Sequence, residues 1–257
     1  MKPSHQPRHC TKSDNSPQGN YPQSNIQVAK KRAKHDKENY YLMLDNKLIS
    51  DPELSFKERG LLNYLLSFPD DWFFQIKTIA KDNGVGRDQV YSGIRAIIKQ
   101  GYGKHRFGRN SKGQIVKSIY EFYEVKQAHS QSKIEDDNLT DHNVQIFIIR
   151  AKHDKENPYT MVARSLIRDP NLSFKERGLL SYLFYLPDNW LYNFEKIAKD
   201  NGVGKRQVYS GIRAIIKQGY GKHRIVRNPK GQIVKSVYDF SEIKQAHSQS
   251  KNALEKN

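Results

Sequence analysis

The chain has 257 residues and carries 44 Lys and Arg against 27 Asp and Glu, a formal net charge of +17. Such an excess points to nucleic acid or an anionic membrane surface as partner, and no apolar run approaches the ~18 residues a membrane span needs. A single cysteine, Cys10, excludes an intrachain disulfide, so a reducing, cytoplasmic setting is expected; Met1-Lys2-Pro3-Ser4-His5 lacks the apolar core of a secretory leader.

Residues 1–31 are rich in Pro, Ser, Gln, Asn and Lys with little to bury. They read as a disordered basic arm, either a plain tail or one that lies along phosphates. His5, His9 and Cys10 are metal-ligand types, but no fourth ligand stands at zinc-like spacing, so no metal and no cofactor is expected. The segment from Ala33 to Lys133 then recurs from Ala151 to Lys251 without a gap, and the run from Gln89 to Arg106 returns unchanged from Gln207 to Arg224. A period this long is a whole domain, because solenoid units span only about 20–50 residues. The division is therefore arm 1–31, first domain 32–133, linker 134–147, second domain 148–251 and tail 252–257.

Each domain opens with an extended segment (Tyr40 to Leu44 in the first) and a turn at Asp51-Pro52. Ser55 with Glu58 is a capping box that starts a helix; Leu61, Leu62, Leu65 and Leu66 form its apolar stripe, and Pro69 ends it. A short helix carries Ile76, Ile79 and Ala80 and stops at Asn83-Gly84. After the Gly84-Val85-Gly86 turn, a third helix runs from about Arg87 to Gln100, with Gly101 as its cap. Lys104–Arg109 and Gln114–Val125 read as two strands joined by the Asn110-Ser111-Lys112-Gly113 turn. The second copy repeats this order, with Ser173 and Glu176 as its capping box and Asn228-Pro229-Lys230-Gly231 as its turn.

The predicted class is α+β: three helices and a β-hairpin per copy. A short helix, a glycine turn and a longer helix make a helix-turn-helix, whose second helix suits the major groove, and a following hairpin adds a wing. The sequence resembles the winged helix-turn-helix domain of bacterial plasmid and phage replication-associated proteins. The likeness lies in Leu48-Ile49-Ser50-Asp51-Pro52, Leu54-Ser55-Phe56-Lys57-Glu58-Arg59-Gly60-Leu61-Leu62, Leu65-Leu66-Ser67-Phe68-Pro69-Asp70-Asp71-Trp72, Ile79-Ala80-Lys81, Gly86-Arg87 and Gly101-Tyr102. It implies tandem winged helices, duplex DNA binding and a role in replication initiation with host replication proteins as partners. A transcriptional regulator on repeated operator sites is the alternative.

In the third helix Val90, Ile94, Ile97 and Ile98 share one face and should pack on the core. Gln89, Ser92, Arg95 and Lys99 share the other with Ala96. Gly93 wants a reason, either close approach to DNA or another backbone, or tight packing against the preceding helix. Gln89 suits an adenine edge and Arg87 a guanine; Arg95 and Lys99 suit phosphates, which position without reading sequence. The second copy offers Lys205, Arg206, Gln207, Ser210, Arg213 and Lys217. The wings add Lys104, His105, Arg106, Arg109, Lys112 and Lys117, and Lys222, His223, Arg224, Arg227, Lys230 and Lys235; strand alternation keeps these from all facing DNA together. Because Arg87-Asp88 becomes Lys205-Arg206, the second domain is expected to bind DNA more tightly.

The stretch from Ile134 to about Phe147 holds Glu135, Asp136, Asp137 and Asp141 and reads as an acidic, solvated linker. If flexible, its 14 residues span about 20 Å on average, enough for neighbouring half-sites in direct or inverted order. No paired histidines, carboxylate cluster for two-metal chemistry or phosphate-loop signature is present in the sequence, so catalysis is not expected. Asp36, Glu38, Asp154 and Glu156 lie in a charged run that reads as a solvated domain edge. An A-form RNA duplex would not admit a reading helix.

Overall fold

The computed structural model describes residues 26–37, 40–69, 75–127, 144–187 and 193–245. Its first half runs β1 (Ile26–Lys31), β2 (Tyr41–Asp45), α1 (Asn46–Ser50), α2 (Phe56–Leu66), α3 (Ile76–Asp82), α4 (Arg87–Lys99), β3 (Gly103–Arg109) and β4 (Ile115–Tyr123). Its second half runs β5 (Val144–Ile149), β6 (Tyr159–Ala163), α5 (Arg164–Arg168), α6 (Phe174–Tyr185), α7 (Phe194–Asp200), α8 (Lys205–Lys217), β7 (Gly221–Arg227) and β8 (Ile233–Ser241). The class is mixed α+β, as expected. His5, His9, Cys10, Glu38, Trp72, the acidic residues Glu135, Asp136, Asp137 and Asp141, and the tail 252–257 lie outside the described residues.

Local chemistry sets the elements where periodicity and caps predict them. The Ser173 hydroxyl accepts from the Glu176 amide while the Glu176 carboxylate accepts from the Ser173 amide at 2.7 Å, so α6 starts on a complete capping box. In the first half the Ser55 hydroxyl accepts from the Glu58 amide. The short α1 and α5 were not anticipated; Asp45 caps α1 by accepting from the Lys47 amide.

The two halves share one core. α2 is buried on all sides from Arg59 to Leu66, not only along its leucine stripe, which is the burial of a central helix. Its second partner is α6. A Cβ on Gly60 would lie 1.7 Å from the Phe174 carbonyl oxygen, and one on Gly178 would lie 1.9 Å from that of Phe56. The glycines let the two backbones touch. Phe56 meets Tyr182 edge-on and Tyr64 meets Phe174 edge-on, and the Asn63 amide donates to the Ser181 hydroxyl at 3.0 Å.

Strand pairing joins the halves again, and here two expectations are corrected. The last six residues of the expected disordered arm form β1, which pairs in parallel with β8 of the second half. The expected solvated linker ends early: Val144 begins β5, which pairs in parallel with β4 of the first half. Each half thus lends its leading strand to the other's hairpin. β2 and β6 pair antiparallel, with Met43 opposite Met161. The physical reason is that a two-stranded hairpin leaves an unpaired edge, and β-rich residues upstream of each copy fill it.

A buried glutamate locks each lent strand. Glu124 accepts from the amides of Asp45 and Ala151, both at 2.9 Å, and bonds His153 Nε2 at 2.9 Å. Glu242 accepts from the Ala33 amide at 2.8 Å and from Arg32 at 3.1 Å, and bonds His35 Nε2 at 2.7 Å. The two halves are therefore not independent of one another: they exchange strands and share a core.

Candidate nucleic-acid interface

Two copies of one surface feature are available for a polyanion. In the first half, α3 buries Ile76, Ile79 and Ala80 and ends at Asn83. Gly84 takes φ +59° with nothing near its would-be side chain; the left-handed backbone of this turn, rather than crowding, is what favours glycine there. α4 follows at once. Val90, Ile94, Ile97 and Ile98 are buried as its spacing predicts. Gly93 is buried too: a Cβ there would lie 2.6 Å from Leu61 of α2, and Gly211 stands likewise on Leu179 of α6. These glycines serve helix packing and do not face a ligand.

The opposite face is open. Arg87, Asp88, Gln89, Ser92, Arg95 and Lys99 are exposed on α4, and Lys205, Arg206, Gln207, Ser210, Arg213 and Lys217 on α8. One cation joins this face that sequence reading passed over. Lys175, at the start of α6, donates to the Ser210 hydroxyl at 2.9 Å and so adds a positive charge beside the middle of α8. Lys205 contacts Glu195, whose carboxylate raises the lysine's pKa. Glu195 stands where the first half has Lys77. The charge gained by Arg206 over Asp88 is partly offset there, which weakens the electrostatic case for tighter binding by the second copy.

The turn before each exposed helix is held by an arginine from the other half. Arg59 is fully buried and donates to Asn201 Oδ1 at 2.8 Å and to the carbonyls of Asp51 and Leu54. Arg177 is its counterpart, donating to Asn83 Oδ1 and to the Asp169 carbonyl. Each guanidinium also lies over two rings, Phe56 and Tyr182 for Arg59, Tyr64 and Phe174 for Arg177. Burial pushes both down to about 10, still far above neutrality, so the cations sit charged inside the interface. Among the described residues their Nε atoms have no hydrogen-bond partner, an energetic cost the interface tolerates. The sequence marks these arginines only as part of a helix.

Each hairpin is fixed to the helices by a shared carboxylate. Asp51 accepts from the Glu53 amide at 2.8 Å, the Tyr102 hydroxyl at 2.9 Å and Lys126 at 3.3 Å. Burial opposes its charge, yet these three donors hold the carboxyl below the ordinary range. Asp169 repeats the arrangement with Asn171, Tyr220 and Lys244. Burial and the neighbouring carboxylate push the Tyr102 and Tyr220 hydroxyls upward.

The hairpin cations are not equivalent. Arg106 pairs with Glu121 and Arg224 with Asp239, each at 3.1 Å. Arg109 and Arg227 instead donate to the carbonyls of Gly113 and Gly231 inside the turns, which aims them along the hairpin tip beside the exposed Lys112 and Lys230. Lys104 is half-buried over the Tyr123 ring, while Lys222 is exposed. His105 bonds Ser118 at 2.6 Å and stacks on Tyr120, and His223 does the same with Ser236 and Tyr238, so both histidines brace the hairpin. Ile115 and Val116 are exposed near the tip.

Among the described residues no group of His, Cys, Asp and Glu is arranged to hold a metal ion, and no helix is long and apolar enough to cross a membrane. Comparison with known protein families, with curated proteins and with solved structures gave no match for this chain.

Proposed function

We propose that the protein is a sequence-specific duplex DNA-binding protein built as tandem winged helix-turn-helix domains, with α4 and α8 as reading helices and the β3–β4 and β7–β8 hairpins as wings. The observation that carries this reading is the division of α4 and α8. One face is buried isoleucine and valine; the other is open and polar, with Gln, Ser, Arg and Lys repeated on both helices. Gln89 and Gln207 read base edges. Arg95, Lys99, Arg213 and Lys217 bind phosphate, as do the wing residues Arg109, Lys112, Arg227 and Lys230. The net charge of +17 draws the duplex in. The resemblance in Leu54–Leu62 and its repeat supports replication initiation at a plasmid or phage origin, with host replication proteins recruited to the bound site.

The test is fluorescence anisotropy of the full chain on duplexes recovered by selection from a random pool, with KCl varied. A protein making 6–10 phosphate contacts loses about 10³–10⁵ in affinity between 50 and 200 mM salt. Absence of binding at low salt, or binding indifferent to salt, refutes the proposal. Maintenance of an origin plasmid by the gene in a host lacking it tests the replication role.

A further inference from the structure

Contacts between the halves recur in reciprocal pairs, with exceptions such as Arg168 on Ser67, whose counterpart would be Ser50 on Tyr185. Phe56 meets Tyr182 and Tyr64 meets Phe174, residues exchanged at the repeat's own offset. Arg59 holds Asn201 and Arg177 holds Asn83. Ile26 pairs with Ser236 and Ser118 with Val144. Three pairs join a residue to its own repeat: Gly60 abuts Gly178, Asn63 bonds Ser181, and Met43 faces Met161 across antiparallel strands. When i touches j′ and j touches i′, the relation is a two-fold rotation. A translation, the relation needed to read a direct repeat, does not produce self-pairing.

Resting on the DNA-binding reading above, we infer that the target is an inverted repeat of two half-sites at one spacing, occupied by a single chain. Several observations carry this. The rotation that relates the halves also relates α4 to α8, so their reading faces meet the duplex in opposite senses, as in two-fold helix-turn-helix dimers on palindromes. Spacing is set by a buried interface and not by a tether: Arg59 and Arg177 cross that interface to hold the turns before α8 and α4. The palindrome is imperfect. From Gln89 and Gln207 onward the helices are identical, but Arg87-Asp88 faces one half-site and Lys205-Arg206 the other. Asp88 accepts from a cytosine amino group or repels phosphate, whereas Arg206 favours phosphate or guanine. The chain therefore lies on its site in one orientation, which a symmetric dimer of identical subunits cannot do.

The experiment uses the full chain on duplexes carrying one recovered half-site in inverted, everted and direct arrangement, with stoichiometry read by sedimentation. The expected result is one chain per inverted repeat, at least tenfold weaker binding to the direct repeat, and a similar loss when five base pairs, about half a helical turn, are inserted between the half-sites. Equal affinity for the direct repeat, tolerance of the insertion, or two chains per duplex overturns the inference while leaving DNA binding intact. Failure to bind any duplex refutes the underlying reading as well. Orientation is read on the full recovered site, whose two half-sites differ, by tethering a DNA-cleaving iron chelate at Ser111→Cys in a Cys10→Ser background. Cutting at one end of the site is expected; equal cutting at both ends overturns the fixed orientation. Adding Arg87→Lys and Asp88→Arg makes the two helices alike and should restore cutting at both ends; cutting that stays at one end overturns the assignment of orientation to these positions.

Discussion

Gly60→Ala tests whether the two halves depend on backbone contact between α2 and α6. The new Cβ would sit 1.7 Å from the Phe174 carbonyl oxygen, whereas ordinary contact is 3.4–4 Å. The obstacle is backbone, so no side-chain rotation relieves it. The helices must separate by on the order of 1.5 Å, an overpacking cost of about 1–3 kcal/mol. Separation also stretches the 2.8 Å Arg59–Asn201 bond and the 3.0 Å Asn63–Ser181 bond toward breaking. Hydrogen bonds to charged groups contribute about 1.5–3 kcal/mol each. Against these stands the roughly 1 kcal/mol by which alanine favours a helix over glycine. With about 0.5–1.5 kcal/mol for the neutral Asn63–Ser181 bond, the net loss is about 2–6 kcal/mol, a large fraction of the ~5–15 kcal/mol of a typical domain. Urea denaturation followed by far-UV circular dichroism measures it, with exposed Lys81→Ala as the control near zero. Gly178→Ala should cost a similar amount, because its Cβ meets the Phe56 carbonyl in the same way. The double variant should lose less than the sum, since the first substitution has already parted the helices. A Gly60→Ala variant as stable as the parent, or more so, refutes the backbone-contact argument.

Three further outcomes follow from named groups. Glu124→Ala strips the acceptor from the buried amides of Asp45 and Ala151, costing about 1–3 kcal/mol for each donor left unpaired; hydrogen exchange should quicken across β5, and unchanged protection there would show that the glutamate does not lock the strand. Asp51 and Asp169 have carboxyls held below the ordinary 3.8, so the stability they supply is present above about that pH and lost as pH falls through their lower folded values. Asp51→Asn combined with Asp169→Asn should flatten the fall in Tm below pH 4; an unaltered acid limb contradicts this. Gln89→Ala and Gln207→Ala should each weaken binding to a selected site by about 1–3 kcal/mol while sparing non-specific duplex, and an equal loss on both would assign the glutamines to phosphate.

The local elements were largely legible. Apolar spacing, Ser55 and Ser173, Asn83-Gly84 and Asn110–Gly113 mark α2, α3, α4 and the hairpin, and their counterparts, within a few residues, because capping, turn chemistry and periodicity act over a handful of positions. The exposed face of α4 was legible for the same reason: its complement had to be buried. Other features were hidden. Arg59 and Arg177 look like ordinary helix-surface cations; only partners more than 90 residues away, Asn201 and Asn83, show why each is buried. Gly60 reads as a mild helix defect, and its meaning depends on a backbone that sequence spacing does not place nearby. β1 and β5 did leave a trace. Asn25-Ile26-Gln27 and Arg32-Ala33 match Asn143-Val144-Gln145 and Arg150-Ala151 at the repeat's offset, so the repeated unit begins further upstream than Ala33.

Read alone, the amino-acid order establishes that the chain is a duplicated α+β unit with a strong positive charge and a helix with one apolar and one polar face, since these follow from composition and short-range periodicity. That the units join by a two-fold rotation, exchange strands and hold each other's turns came from the folded chain. Those relations depend on which distant surfaces bury each other, and burial between remote segments leaves no period in the sequence.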